Sequence, residues 1–300
     1  MQSADAPFAR RRNGTGDVNL NWRLKCVAFQ IFAHLPGGGF LYRVAQKYAT
    51  GGHLFDVTDA YLRSHQFHVA QYQRVHPGRA LEFGGGRHFL SPLLLSNAGA
   101  TEVLVYDIQR LSSPAQINHT IRQLRGRVPG EWPEIEDWAD LERIYRIRYL
   151  APGDARNTGL SGACINFFCS TSTLEHIPAA DIRLILRECS RIAATNAVFS
   201  HIIDYTDHYR YTDASISLFN FYRYSERRWH WFNPSNHFQN RLRHSDFDKM
   251  FRELNWKAIE TKVGAVSPDA IRTIPLDPLF RRYDAADLLT SIGYFVLGAT

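Results

Sequence analysis

The stretch Arg79-Ala80-Leu81-Glu82-Phe83-Gly84-Gly85-Gly86-Arg87 constrains this chain more than any other. A short apolar run ends in an acidic residue and three glycines. An apolar stretch of helical character follows from Phe89 to Leu95, and a second short strand, Glu102-Val103-Leu104-Val105-Tyr106, ends in Asp107. Strand, tight glycine turn, helix, strand, acid is the first half of a nucleotide-binding α/β unit. The turn needs glycine because its backbone must pass close to a ligand and adopt angles that a side chain forbids. An aspartate at the second strand's tip can accept two hydrogen bonds from vicinal ribose hydroxyls. A dinucleotide fingerprint wants a further glycine at position 89, where this chain has Phe89, which weakens a pyrophosphate reading.

The alternation continues downstream. Tyr145-Arg146-Ile147-Arg148-Tyr149-Leu150 reads as a strand closed by Pro152-Gly153-Asp154-Ala155. Ala163–Cys169 is a continuous apolar-rich run suited to a central parallel strand buried on both faces. Ala180–Ala194 carries Ile182, Ile185, Leu186, Cys189, Ile192 and Ala193 at helical spacing, and Ala197–Ile203 is a fifth strand. Asp246–Asn255 reads as a helix with Ser245 or Asp246 as its cap. Trp256–Val263 and Ile292–Leu297 are two last strands, joined by a long proline-containing connection over 264–290. The expected fold is α/β, a mostly parallel seven-stranded Rossmann-like sheet with helices on both faces.

Three segments flank or interrupt that core, which is expected over 78–300. Residues 1–17 read as a flexible leader. Residues 18–77 read as helical, broken at Pro36-Gly37-Gly38-Gly39 by a helix–helix turn, and are expected to cover the nucleotide site as a lid. Residues 205–245 form an insertion crowded with Tyr, Phe, Trp, His and Arg.

Composition narrows the class. Three hundred residues with 45% hydrophobic content can bury a full core. No apolar run is long enough to span a bilayer, and a signal-peptide core is missing at the start, so a soluble, cytoplasmic protein is expected. Cys26, Cys164, Cys169 and Cys189 form no Cys-x-x-Cys pair and are expected as buried, reduced thiols. The net charge of +6 comes from scattered arginines, with Arg10-Arg11-Arg12 as the tightest cluster. Nucleic-acid binding wants an ordered basic stripe interleaved with aromatics. The segment Phe221–Arg243 comes nearest, without making one.

The pattern Glu82-x-Gly84-x-Gly86 resembles motif I of the class I S-adenosylmethionine-dependent methyltransferases, which bind a nucleoside carrying no phosphate. Three later segments resemble that family in the same order: Tyr149–Ala155 at the end of the third strand, Ser170–Pro178 after the fourth, and Leu186–Ile192 in the helix that follows. The resemblance covers about 79–204 and implies S-adenosyl-L-methionine as the cofactor. Gly84, Gly85 and Gly86 would let backbone approach its methionine part, and Glu82 would favour its cationic portion. Asp107, with Ile108 beside it, would hold the ribose; Asp154 and the Ala155 amide would read the adenine. Ser170 or Thr171 would line the site near the sulfonium. The chain departs from the family at His88, where a further glycine is common, and at Asn166, where many members have aspartate.

Methyl transfer from a sulfonium is an in-line displacement that needs water excluded and, for an oxygen nucleophile, a proton removed. His201, Asp204, Asp207 and His208 cluster after the fifth strand, on the side where such sheets bind ligands. His208 is the first candidate base, with His176 and His201 behind it. His201, Asp204 and Asp207 also offer mixed ligands for Mg or Mn; strand-tip charges are more often caps or ion pairs, and no metal is expected. The aromatic segments Phe219–Tyr224 and Trp229–Phe232 suit a sugar face or planar ring, or else an extra core. The expected activity is O-methylation of a small molecule or saccharide intermediate. The rivals are an RNA methyltransferase, a non-catalytic cofactor-binding protein and a nicotinamide-dependent oxidoreductase.

Overall fold

The computed structural model describes residues 21–38, 41 and 56–298. The leader expected over 1–17 lies outside the described residues, as does most of the apolar stretch Gly39–Tyr48. The strands are β1 (Arg79–Phe83), β2 (Glu102–Tyr106), β3 (Ile147–Leu150), β4 (Ile165–Thr171), β5 (Ala193–Asp204), β6 (Lys257–Ala265) and β7 (Thr290–Gly298). They form one sheet in the order β3-β2-β1-β4-β5-β7-β6. The first five run parallel, and β7 is antiparallel to both its neighbours. The chain winds outward from β1 to β3 and then returns to β4. The direction of winding therefore reverses between β1 and β4, and it is outside the carboxyl ends of strands at such a point that open α/β sheets bind ligands.

Helices cover both faces. On one side lie α2 (Asp59–Tyr72), α3 (Leu90–Asn97), α4 (Pro114–Leu124) and α5 (Trp138–Tyr145), whose apolar residues share a core with Val103, Val105 and Phe167. On the other lie α6 (Ala179–Ile192) and α8 (His244–Glu253), packed on Leu81, Leu104, Phe168 and Phe199. Helix α6 buries Ile182, Ile185, Leu186, Cys189 and Ile192, the stripe its spacing predicts. A third core joins α1 (Trp22–His34) to the segment after β5, to α7 (Glu226–Phe232) and to the connection between β6 and β7, which carries the short helices α9 (Asp269–Arg272) and α10 (Ala285–Leu289). The four cysteines are unpaired, three of them buried.

Several boundaries differ from the sequence reading: the fifth strand starts at Ala193, read as helical, and not at Ala197, and two others have a visible local cause. The third strand starts at Ile147, because α5 runs on to Tyr145 and ends with Arg146 in the left-handed region at φ 56°, its amide bonded back to Leu141 and Glu142. Alternation over 145–146 disguised a helix end. Helix α8 begins at His244 and not at Asp246. Arg243 is its cap residue, and Asp246 acts from the third position by accepting the Arg243 amide at 2.9 Å.

Arg243 ties the carboxyl-terminal part of the sheet together. Its side chain is fully buried and donates to the carbonyls of Tyr205 (3.0 Å), Asp287 (2.9 Å) and Thr290, while its guanidinium lies over the rings of Tyr205, Phe219 and Tyr222. Replacing it by an apolar side chain strands these carbonyls. Arg243→Met is expected to lower stability by about 3 kcal/mol in urea denaturation, against about 0.5 kcal/mol or less for the exposed Arg187→Met.

Candidate functional site

Strand β1 ends in a turn that only glycine can make. Gly84 has φ +79°, and a Cβ there would lie 2.4 Å from both Oγ1 and Cγ2 of Thr173, so the loop after β4 sits directly on the turn. Gly86, at φ +64°, faces open space, with nothing within 4 Å of the position a Cβ would take. Gly85 packs against Val105. Position 89 also takes the left-handed conformation, at φ 54°, although it is a phenylalanine. The Phe89 ring is fully buried edge-on against Tyr149 and supports the floor beside Asp107.

The acids of this region stand in a low-dielectric setting. Asp107 is 7% exposed, and its Oδ2 has no hydrogen-bond partner. Burial pushes its carboxyl up to about 7, against the opposing pull of Tyr149 and the Gly85 amide. Next to it Ile108 is 76% exposed. A sheltered carboxyl oxygen lacking a donor, an exposed aliphatic chain and an open glycine therefore lie together at the tips of β1 and β2. Glu82 is buried one step below, with an unpartnered Oε2. Burial raises its carboxyl well above the usual range and Asp107 adds to this, while Ser91 opposes them. Ser91 is in turn 2.5 Å from Nδ1 of His65 on α2.

Other residues read as cofactor contacts are committed elsewhere. Asp154 is exposed, and Arg156 holds both its oxygens, at 2.8–3.1 Å, while also bridging to Asp181. The loop itself is tied to the site, since the Gly153 amide donates to the Asp107 carbonyl at 2.8 Å, and Ala155 is buried. Ser170 and Thr171 turn their hydroxyls onto buried histidines: Ser170 to Nδ1 of His201 at 2.9 Å, Thr171 to Nε2 of His68 at 2.9 Å. Asn166 accepts the Arg79 amide at 2.9 Å, a structural task at the far end of the strands.

The candidate bases divide. His201 is fully buried, stacked on Phe251 and near Phe83, and burial lowers its pKa to about 3. A neutral ring sealed in the core cannot reach an acceptor, so His201 is a core residue and not a base. Asp207 is buried as well, capping the turn that follows by accepting the Tyr209 amide. His176 and His208 do meet, their rings 4.8 Å apart. His208 Nε2 lies 3.4 Å from Oδ2 of Asp204. Burial would raise the Asp204 carboxyl; His208, Tyr211 and the Thr206 amide outweigh that and hold it below its ordinary value. Glu175 completes the group, its carboxyl pushed well up by burial and by Asp204.

The sequence reading missed the part played by Glu175, Tyr211 and Gln239. Tyr211 donates to Asp204, and Gln239 accepts the His208 amide at 3.2 Å while donating to the Thr206 carbonyl at 2.5 Å. The spacing Asp204, His208, Tyr211 along one short segment was the available signal; no local pattern marks Gln239. The aromatics of 219–232 are core residues: Phe219, Phe221, Tyr222 and Trp229 are at most 3% exposed, and only Trp231 stands out in solvent.

No family model matches the sequence, and no curated protein matches it. Solved structures do align with the fold. A SAM-dependent methyltransferase of Leishmania major is 11% identical over 94% of this chain and 87% of its own, with a TM-score of 0.44. A geranyl diphosphate C-methyltransferase of Streptomyces coelicolor, solved with Mg2+, geranyl-S-thiolodiphosphate and S-adenosyl-L-homocysteine, is 10% identical over 79% of this chain and 76% of its own, with a TM-score of 0.46. A protein of Pyrococcus horikoshii is 11% identical over 82% of this chain and 95% of its own, also at 0.46.

The raised Asp107 carboxyl has a thermodynamic signature. Its folded pKa of about 7 lies above the ordinary 3.8, so the folded state holds the proton more tightly. The associated stability is complete below pH 4 and is lost as pH rises through 7, with a slope of at most about 1.4 kcal/mol per pH unit. Asp107→Asn is expected to remove that slope from urea melts taken between pH 4.5 and 7.5.

Proposed function

We infer that the chain is an S-adenosyl-L-methionine-dependent methyltransferase acting at an oxygen of a small molecule or saccharide intermediate. The observation that carries this is the buried Asp107 oxygen without a donor, set beside exposed Ile108 and the open face of Gly86. A ribose diol supplies the two donors that a carboxylate at a strand tip can use, and Ile108 offers an apolar face to the attached base. The electrostatics favour a cationic nucleoside over a pyrophosphate. Glu82 and Asp107 flank the glycine turn, each raised by burial; a positive ligand lets such groups ionise, whereas a phosphate opposes it. When bound, S-adenosyl-L-methionine supplies a methyl group on sulfonium, the electrophile of the reaction.

The chain's own residues then have two tasks. The tips of β1 and β2 hold and orient the nucleoside through Asp107, Ile108, Gly84, Gly85 and Gly86, with Glu82 below. Asp154 joins them once Arg156 releases it, with the Ala155 amide beside it, and Ser170 and Thr171 form the wall towards β4. The tips of β4 and β5 receive the acceptor, and His208, whose Nε2 contacts Asp204, takes the proton of its hydroxyl, with His176 as the second choice. Helix α1 and the segment 205–245 form the acceptor-side cover. The unpaired thiols fit the reducing cytoplasm.

Calorimetry with S-adenosylhomocysteine and, separately, NAD tests the nucleotide. Binding of the first and not the second is expected, with Asp107→Ala weakening it roughly 10- to 100-fold. Because the carboxylate is the form that accepts the diol, affinity should fall as pH drops from 8 to 5.5, approaching tenfold per unit below 7. Heat with NAD alone would make the protein an oxidoreductase. Mass spectrometry of candidate acceptors incubated with labelled cofactor tests the chemistry; His208→Ala should slow turnover roughly 100-fold or more. RNA as the methylated species would replace the small-molecule reading.

A further inference from the structure

We propose that Glu175, His176 and His208 form a binding site for a divalent cation of the Zn2+, Co2+ or Mn2+ class. The proposal deepens the reading above, on which it rests for where the acceptor enters. One ligand atom from each residue lies within 4.8 Å of the other two. The fold brings them together from separate segments: Glu175 and His176 follow β4, and His208 follows β5, its neighbour in the sheet.

Two of the three are more than nine-tenths buried and carry an atom with no hydrogen-bond partner, Glu175 Oε2 and His208 Nε2, the latter with only a 3.4 Å ion-pair contact to Asp204. Dry, unpaired polar atoms are costly, and a single cation satisfies both. Nδ1 of His176 is 2.9 Å from the Phe238 carbonyl, which can only accept, so that nitrogen carries the hydrogen and Nε2 keeps its lone pair. A backbone carbonyl fixing the tautomer of an imidazole in this way is the usual support of a metal-ligating histidine.

Charge points the same way. Glu175 Oε1 accepts the Asp204 amide at 3.3 Å, so two carboxyls are buried side by side. Among the described residues neither is ion-paired with lysine or arginine, and His208 is the one ion-pair partner of Asp204. Asp204 itself is occupied by Thr206 and Tyr211 and lies beside the same Nε2 of His208. Two imidazoles and a carboxylate favour borderline cations over Mg2+ or Ca2+, and three protein ligands leave positions open for an acceptor oxygen. His176 is exposed, which gives the cation a way in. A cation there would orient an acceptor hydroxyl and lower its pKa; His208 is the base in the metal-free protein and a ligand in the loaded one.

The test uses the full chain, stripped with chelator and dialysed against Zn2+ or Co2+. Metal per chain is read by mass spectrometry, and Co2+ coordination by its visible absorption. One saturable equivalent is expected, with Glu175→Gln and His208→Ala each weakening uptake by roughly 10–100-fold or more while circular dichroism and S-adenosylhomocysteine binding stay as in wild type. Uptake far below one equivalent, or variants that bind as wild type does, would overturn the proposal. One equivalent of metal with no S-adenosylhomocysteine binding would support the cation site and overturn the cofactor reading instead.

Discussion

The absent side chain at Gly84 is the constraint on which the candidate site depends. Thr173 occupies the volume that any Cβ would take, so the turn after β1 and the loop after β4 are packed as one unit. That loop continues directly into Glu175 and His176. The contact sits where the sheet reverses its winding, and so couples the Asp107 side of the crevice to the histidine side. A methyl group at position 84 would push on both at once. The turn is thus more than a gap for a ligand: it is the joint that fixes the spacing between two chemically different halves.

The electrostatics of the carboxyl edge follow from what the strands bury there. Glu82, Asp107, Glu175 and Asp204 all stand at or just beyond strand tips, and all are at most 7% exposed. Several of the chain's arginines are committed elsewhere. Arg243 and Arg241 sit among backbone carbonyls and aromatic rings, and Arg156 is spent on Asp154 and Asp181. The raised carboxyls of Glu82, Asp107 and Glu175 ionise more readily beside a positive group than beside a phosphate.

Much of this was legible in the sequence, for identifiable reasons. The glycine turn, the aspartate at the second strand tip and the stripe of α6 are local patterns, and each lies where its spacing predicts. The run Ile165–Thr171 is a central strand because continuous apolar sequence is compatible with burial on both faces. Side-chain commitments were not legible. Nothing adjacent to Asp154 reveals that Arg156 would bridge it to Asp181, and nothing near His201 reveals that Phe251, fifty residues on, would stack on it. The helix end at Arg146 was hidden because alternation over two residues cannot separate a strand start from a left-handed cap. The aromatic segment after β5 read equally as a ligand surface or a core, since stacking chemistry is the same in both.

That the aromatics turned out to be core changes what the segment 205–245 contributes. Tyr209 donates to the Phe232 carbonyl at 2.7 Å, the Asp207 amide donates to Leu218 at 2.6 Å, and Trp22 from α1 is buried against Tyr209, Tyr224 and Phe232. His208 stands between two residues anchored in this way, and Gln239 holds its amide. A base or a ligand must be kept within about 0.5 Å of its working position by groups whose own rotamers are locked. The apolar mass of the third core meets that requirement for His208, while the strand register between β4 and β5 meets it for the loop carrying Glu175 and His176. The insertion therefore contributes rigidity, which holds its few buried polar atoms in place.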